Sequence, residues 1–165
     1  MLAASEGVGD FWLPIVMQGF RQANPDILID INVDFRTTNL AQREADIALR
    51  WQSPGEQNSL VARKVADVTF GLFASPNYLQ RRGTPSSLED LADHDAVIAM
   101  IKDEMPLWIH DENENPLYMP DSVTFRTNNI WAYDTALATG YGIGAMPICS
   151  CGMLGSDDIV RILPN

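Results

Sequence analysis

Cysteine, histidine and positive charge are all scarce in this sequence. Of 165 residues two are cysteines and two are histidines, and 11 basic residues stand against 22 acidic ones, for a formal net charge of -11. That balance excludes the chain by itself as a nucleic-acid binder, because most of its surface repels phosphate. Its cations are scattered, with Arg81-Arg82 the largest group. Cys149 and Cys151 form a C-S-C arrangement, which fits neither a CxxC redox motif nor the paired knuckles of a zinc site. Positions i and i+2 are also poorly set for a disulfide. The pair reads as thiols of a reducing compartment, with redox sensing as the alternative. No apolar run approaches the ~20 residues of a membrane-spanning helix, and no basic segment followed by an apolar one marks a secretory signal. The expectation is a cytoplasmic chain with no membrane contact.

Signatures of catalysis and of bound cofactors are missing too. GxxxxGK[ST] and GxGxxG are both absent, and Gly7-Val8-Gly9 is too short to claim a nucleotide. Neither His94, in Asp93-His94-Asp95, nor His110 lies near a Ser or Cys in a catalytic pattern, and no paired-carboxylate site stands out. His94 reads as a helix-end residue. The acidic run Asp111-Glu112-Asn113-Glu114-Asn115 lacks the D-x-[DN]-x-[DN]-G of a calcium loop. It reads as the solvated tip of a hairpin flanked by Trp108-Ile109-His110 and Pro116-Leu117-Tyr118. The sequence thus predicts no enzyme, no metal and no cofactor.

What is present is a folded chain: 46% of the residues are hydrophobic, and the length suffices for one domain or two small lobes. Leu2-Ala3-Ala4 reads as the end of a strand. Ser5-Glu6-Gly7-Val8-Gly9 leads to Asp10, a candidate N-cap, and an amphipathic helix over 11–23 with Pro14 in its first turns. Free N–H groups there, with the Ser5 hydroxyl, suit a small anion; a plain strand-to-helix turn is the other reading. Ile27, Ile29, Ile31, Val33 and Phe35 alternate with polar residues and predict a strand over 27–35. Asn39 to Trp51 then reads as a short helix feeding a buried strand, Ala45 to Leu49. Arg50 and Trp51 end that strand just before the turn Ser53-Pro54-Gly55. A guanidinium at such a strand end either holds an anion bidentately or salt-bridges a neighbouring carboxylate. The order so far predicts a parallel sheet with crossover connections.

Strands are expected over 59–63 and 65–74, then a short helix after Pro76 and a turn capped by Ser86 or Ser87. Ala96 to Met100 is a strand, and Val123 to Arg126 another. Thr127-Asn128-Asn129 caps a helix over 130–139, which Gly140 ends. Ile143 to Met146 and Ile159 to Leu163 complete the pattern. The chain divides into two α/β halves near Ala74.

Several separated segments resemble LysR-type transcriptional regulators. Ser5 to Gly9 with Trp12-Leu13-Pro14 is similar to the family's first strand, loop and helix, and Phe20 with Asn24-Pro25 to its next turn. Asn39 to Arg50 looks like "dl..readiaiR", and Phe73 to Pro85 like "l.asp.Yl...G.P". Leu88 to His94 resembles "l.dL..H", Gly140 to Pro147 "G.Gia.lP", and Ile159 to Pro164 "l.rvLp". Their order and spacing cover nearly the whole chain.

The resemblance implies the family's effector-binding domain, with a two-lobed periplasmic-binding-protein-like (type 2) α/β fold. Two crossover strands would lie near Ser75 and Ile159. Lobe I would be 1–74 with 159–165, and lobe II 75–158. The N-terminal winged helix-turn-helix and its linker helix are missing by this comparison, and the chain stops before the strand and helix that complete lobe I. A small-molecule effector would lie in the interlobe cleft. Carried over by position, its lining is Ser5, Glu6, Val8, Thr37, Thr38, Arg50 and Trp51 from one lobe, with Ile101, Lys102, Thr127, Asn128 and Asn129 from the other. Hydroxyls, helix N–H groups and a guanidinium suit a small carboxylate, while Glu6 argues against a highly anionic one. The helices at 11–22 and 130–139 would pair across a homodimer, and DNA would be bound only through the absent N-terminal domain. The competing readings are a stand-alone solute-binding protein of the same fold and a dimerising fragment with no sensing role.

Overall fold

Alternating apolar residues form a strand only where a neighbour is available to pair with them, and this rule sets the elements seen. The structure, a computed structural model, describes residues 1–34, 40, 44–50, 60–102, 105–109, 117–118, 120–150 and 158–164. It divides into two compact units, Met1–Ala66 and Asp67–Asn165.

In the first unit β1 (Leu2–Ala4), β2 (Ile31–Val33) and β3 (Ile47–Leu49) form a parallel sheet in the order β2-β1-β3. Leu2 is in register with Ile31 and Ile47, and Ala4 with Val33 and Leu49, so these six apolar side chains share one face. A π-helical turn (Val8–Trp12) runs into α1 (Leu13–Ala23). Gly9 lets that turn approach the sheet: a Cβ there would come within 2.5 Å of Val33 Cγ2 and 3.2 Å of Ala4 Cβ. Asp10, expected as the N-cap, lies inside the π-helical turn, and no side-chain cap bond starts α1. The strand expected over 27–35 is three residues long, because β1 begins at Leu2 and offers nothing for Ile27 or Leu28 to pair with. Both are exposed.

The second unit carries a six-stranded sheet ordered β6-β5-β8-β4-β9, with β7 paired to β5. In chain order these are β4 (Phe70–Ala74), β5 (Ala96–Lys102), β6 (Met105–Leu107), β7 (Val123–Thr127), β8 (Ile143–Pro147) and β9 (Val160–Ile162). Leu72, Ala74, Ile98, Ile143 and Ala145 pack with Tyr78 of α2 (Pro76–Arg82) and with Trp108. Phe73, Val97, Ala99 and Met146 pack with Tyr133 and Leu137 of α3 (Ile130–Thr139). A sheet covered on both sides explains the near-continuous apolar runs of β4, β5 and β8. Ser75 caps α2, its Oγ accepting the Tyr78 N–H at 3.2 Å. Asn129 caps α3, its Oδ1 accepting the Ala132 N–H at 2.9 Å, and Gly140 ends it at φ 86°.

The division therefore falls after Ala66, not at Ala74 as the sequence pattern suggested. β4 belongs to the second sheet because both its faces are buried there, and β9 pairs antiparallel with β4 in that same sheet. The strands expected over 59–63 and 65–74 reduce to β4 among the described residues, and Val61 and Val65 are exposed. The tip at Asp111 to Asn115 lies outside the described residues; beside it, the Leu117 N–H donates to the Ile109 carbonyl at 3.1 Å. Cys149 is a free, exposed thiol, and Cys151 is outside the described residues.

Candidate functional site

Three parallel strands that end on the same side of a sheet bring the residues after them together, and in the first unit these are Ser5, Asp34 and Arg50. The Ser5 N–H donates to the Leu49 carbonyl at 3.2 Å, and the Asp34 N–H to the Ala4 carbonyl at 3.0 Å. Arg50 Nη1 donates to the Asp34 main-chain carbonyl at 2.9 Å. Since β1 is the middle strand, this guanidinium straps across its carboxyl end. The sequence offered Arg50 an anion or a carboxylate; its Nη1 bond to a main-chain carbonyl holds the side chain over the strand ends.

Ser5 is 6% exposed, and its hydroxyl has no hydrogen-bond partner among the described residues. A buried polar atom left so costs about 1–3 kcal/mol. The Ser5 carbonyl accepts the Gly9 N–H at 3.0 Å, which opens the helical segment directly beside this hydroxyl. Glu6 and Val8 lie in that same entry and are half-buried. The structure thus gathers Ser5, Glu6, Val8 and Arg50 at one edge. Thr37, Thr38 and Trp51 lie outside the described residues. The sequence reading missed two participants: Asp34, through its carbonyl, and Gly9, through its lack of a side chain.

In the second unit, β5 and β7 are parallel neighbours with Ala99 opposite Thr127, and β5 runs on to Ile101 and Lys102. Their carboxyl ends therefore lie side by side. Thr127 Oγ1 accepts the Asn129 N–H at 3.0 Å, and Asn129 Oδ1 caps α3. Asn128 is exposed between them. These polar groups hold the helix entry in shape.

His94 is buried beside Tyr78, whose Oη accepts the Asp95 N–H at 2.8 Å and lies 3.2 Å from His94 Nδ1. Burial, then the nearby Arg82 charge, hold its pKa below the usual histidine range. Asp134, on α3, was also missed, although it is the only charged residue in that helix. It is 4% exposed, and burial raises its pKa to about 7. Among the described residues no group of three or more His, Cys, Asp or Glu side chains is placed to hold a metal ion, and no helix is long and apolar enough to cross a membrane.

A family model described as the LysR substrate binding domain matches residues 1–165. The chain belongs to that family. It is 30% identical over 143 residues to the HTH-type transcriptional regulator CrgA of Neisseria meningitidis serogroup B, a match covering 86% of this chain and 46% of the relative. It is 27% identical over 81 residues to the HTH-type transcriptional regulator PgrR of Escherichia coli, covering 49% of this chain and 27% of the relative. The chain spans about half the length of CrgA. Its structure is similar to the CrgA regulatory domain, with a TM-score of 0.79 and 25% identity, covering 98% of this chain and 79% of that one. The regulatory domain of AphB in Vibrio vulnificus gives a TM-score of 0.73 at 25% identity, covering 99% and 82%. As a LysR substrate binding domain, the chain has the α/β fold of the type 2 periplasmic-binding-protein class.

Proposed function

We propose that this LysR substrate binding domain is the effector sensor of a cytoplasmic transcriptional regulator, in which a small molecule bound here governs DNA binding by an N-terminal domain of the whole protein. The observation that carries the reading is the buried, unpaired Ser5 hydroxyl beside the Arg50 strap and a helix start. Such a group gains a partner when a ligand arrives. A small carboxylate suits it, accepting from the hydroxyl, from main-chain N–H groups and from a guanidinium. Thr37, Thr38 and Trp51 on the first unit, and Ile101, Lys102, Thr127, Asn128 and Asn129 on the second, are proposed as further contacts. A stand-alone solute-binding protein is the less favoured reading, since the relatives matched are HTH-type transcriptional regulators.

Pairing into a homodimer through α1 and α3 belongs to the same proposal. Along α1, Ile15, Val16 and Phe20, with Trp12 at the end of the turn before it, form an exposed apolar stripe, with Ile15 60% exposed. On α3, Trp131 is 56% exposed, and the hydroxyls of Thr135 and Thr139 donate back to main-chain carbonyls at 2.8 and 2.7 Å. Both threonines are exposed.

Thermal unfolding of the chain against small carboxylates, amino acids and aromatic acids tests the sensor reading. A ligand at 100 times its Kd should add about 2.7 kcal/mol, and Arg50→Ala should remove most of that gain. A broad panel without any shift, while unfolding stays cooperative, counts against it.

A further inference from the structure

Charge is unevenly matched at the Ser5 edge. Ala4 is in register with Val33 and Leu49, so the residues that follow, Asp34, Ser5 and Arg50, lie in one row across the ends of β2, β1 and β3. Arg50 Nη1 reaches the Asp34 carbonyl at 2.9 Å. That bond takes the guanidinium across the end of β1, where the Ser5 hydroxyl is buried and has no partner among the described residues. Glu6 follows Ser5 directly, in a turn that Gly7 bends at φ 76°. The π-helical turn after it packs on β1 and β2 and carries Asp10. Glu6, Asp10, Asp34 and Arg50 are all half-buried. Among the described residues this edge therefore brings three carboxylates to one guanidinium.

A ligand carboxylate placed on the Ser5 hydroxyl, the opening N–H groups of the helical segment and the Arg50 guanidinium takes up the one cation of the row. It also displaces water from Glu6 and Asp34, and a carboxylate that loses water without gaining a counter-charge is costly. A second carboxylate on the ligand would deepen that cost. A cationic nitrogen beside the first removes it. We propose that the ligand held at this edge is an α-amino acid, with its carboxylate on Ser5 and Arg50 and its ammonium group on Glu6. The two charges of such a ligand sit one carbon apart, which suits a hydroxyl and a carboxylate on adjacent residues of one turn. This narrows the small-carboxylate reading above and rests on it.

The test sets each common L-amino acid beside the acid that lacks only its α-amino group. The Tm of the 165-residue chain is read with each compound, and dissociation constants for any pair that shifts it are measured by calorimetry. At least one amino acid should bind about tenfold or more tightly than its deaminated partner. Glu6→Gln should bring the two within about threefold of each other, mainly by weakening the amino acid; Glu6→Ala serves if the amide does not fold. A deaminated acid that binds as tightly as its amino acid overturns the proposal and leaves the small-carboxylate reading standing. So does a preference for the amino acid that persists in the Glu6 variants. No shift from either class removes the small-carboxylate reading and this proposal with it.

Discussion

Ser5 places a hydroxyl where it is neither solvated nor paired among the described residues, so its removal separates folding from binding. Ser5→Ala should raise stability by about 1 kcal/mol, since an unsatisfied group is lost and no bond is broken, yet it should abolish the ligand-induced rise in Tm. Urea unfolding with and without ligand checks both halves. A loss of stability in the unliganded variant would mean that the hydroxyl already has a partner. Asp134 gives the second residue-scale expectation. Its pKa moves from 3.8 to about 7 on folding, so between those values the folded chain holds a proton that the unfolded chain has released. Stability therefore falls as pH rises through that window, and the full cost stands above it. Asp134→Asn should flatten this slope and raise the unfolding free energy at pH 8 by an amount on the order of a few kcal/mol, seen as a higher Tm. Equal Tm values for variant and wild type at pH 8 would show that the site hydrates freely.

Some elements depend on close approach at a single glycine. A Cβ on Gly144 of β8 would collide with Tyr133 Oη and Leu137 Cδ2 of α3. Gly144→Ala should therefore destabilise the chain by roughly 1–3 kcal/mol through overpacking, read as a lower urea midpoint; an unchanged midpoint would mean that α3 shifts without strain. This layer was legible in the sequence to different degrees. The helix over 130–139 could be read because its cap Asn129 and its terminator Gly140 act locally. The strand over 27–35 was overread because alternation reports a face and not the length of a partner, and β1 supplies three residues. The strand end carrying Arg50 was legible from an apolar run closing on a cation. The carbonyl it bonds, sixteen residues away at Asp34, follows from strand order and has no local signal.

The two units are unequally filled. Among the described residues the first buries Ala3, Ala4, Leu13 and Ala45 as its apolar core, whereas the second buries Phe73, Tyr78, Tyr133, Leu137 and Ile143 with many others. Apolar burial stabilises in proportion to area, so amide hydrogen exchange should run faster in β1–β3 than in β4, β5 and β8. Equal protection in both sheets would show that they unfold as one. The division itself was only half legible in the sequence: strand and helix order revealed two α/β halves, but β4 follows the break and looks locally like the last strand of the first half. Only its pairing with β8 and β9 assigns it. The thin core has a thermal corollary. Ser5 and Arg50 sit on the less filled unit, so warming should loosen the strand ends they share while the second sheet still holds.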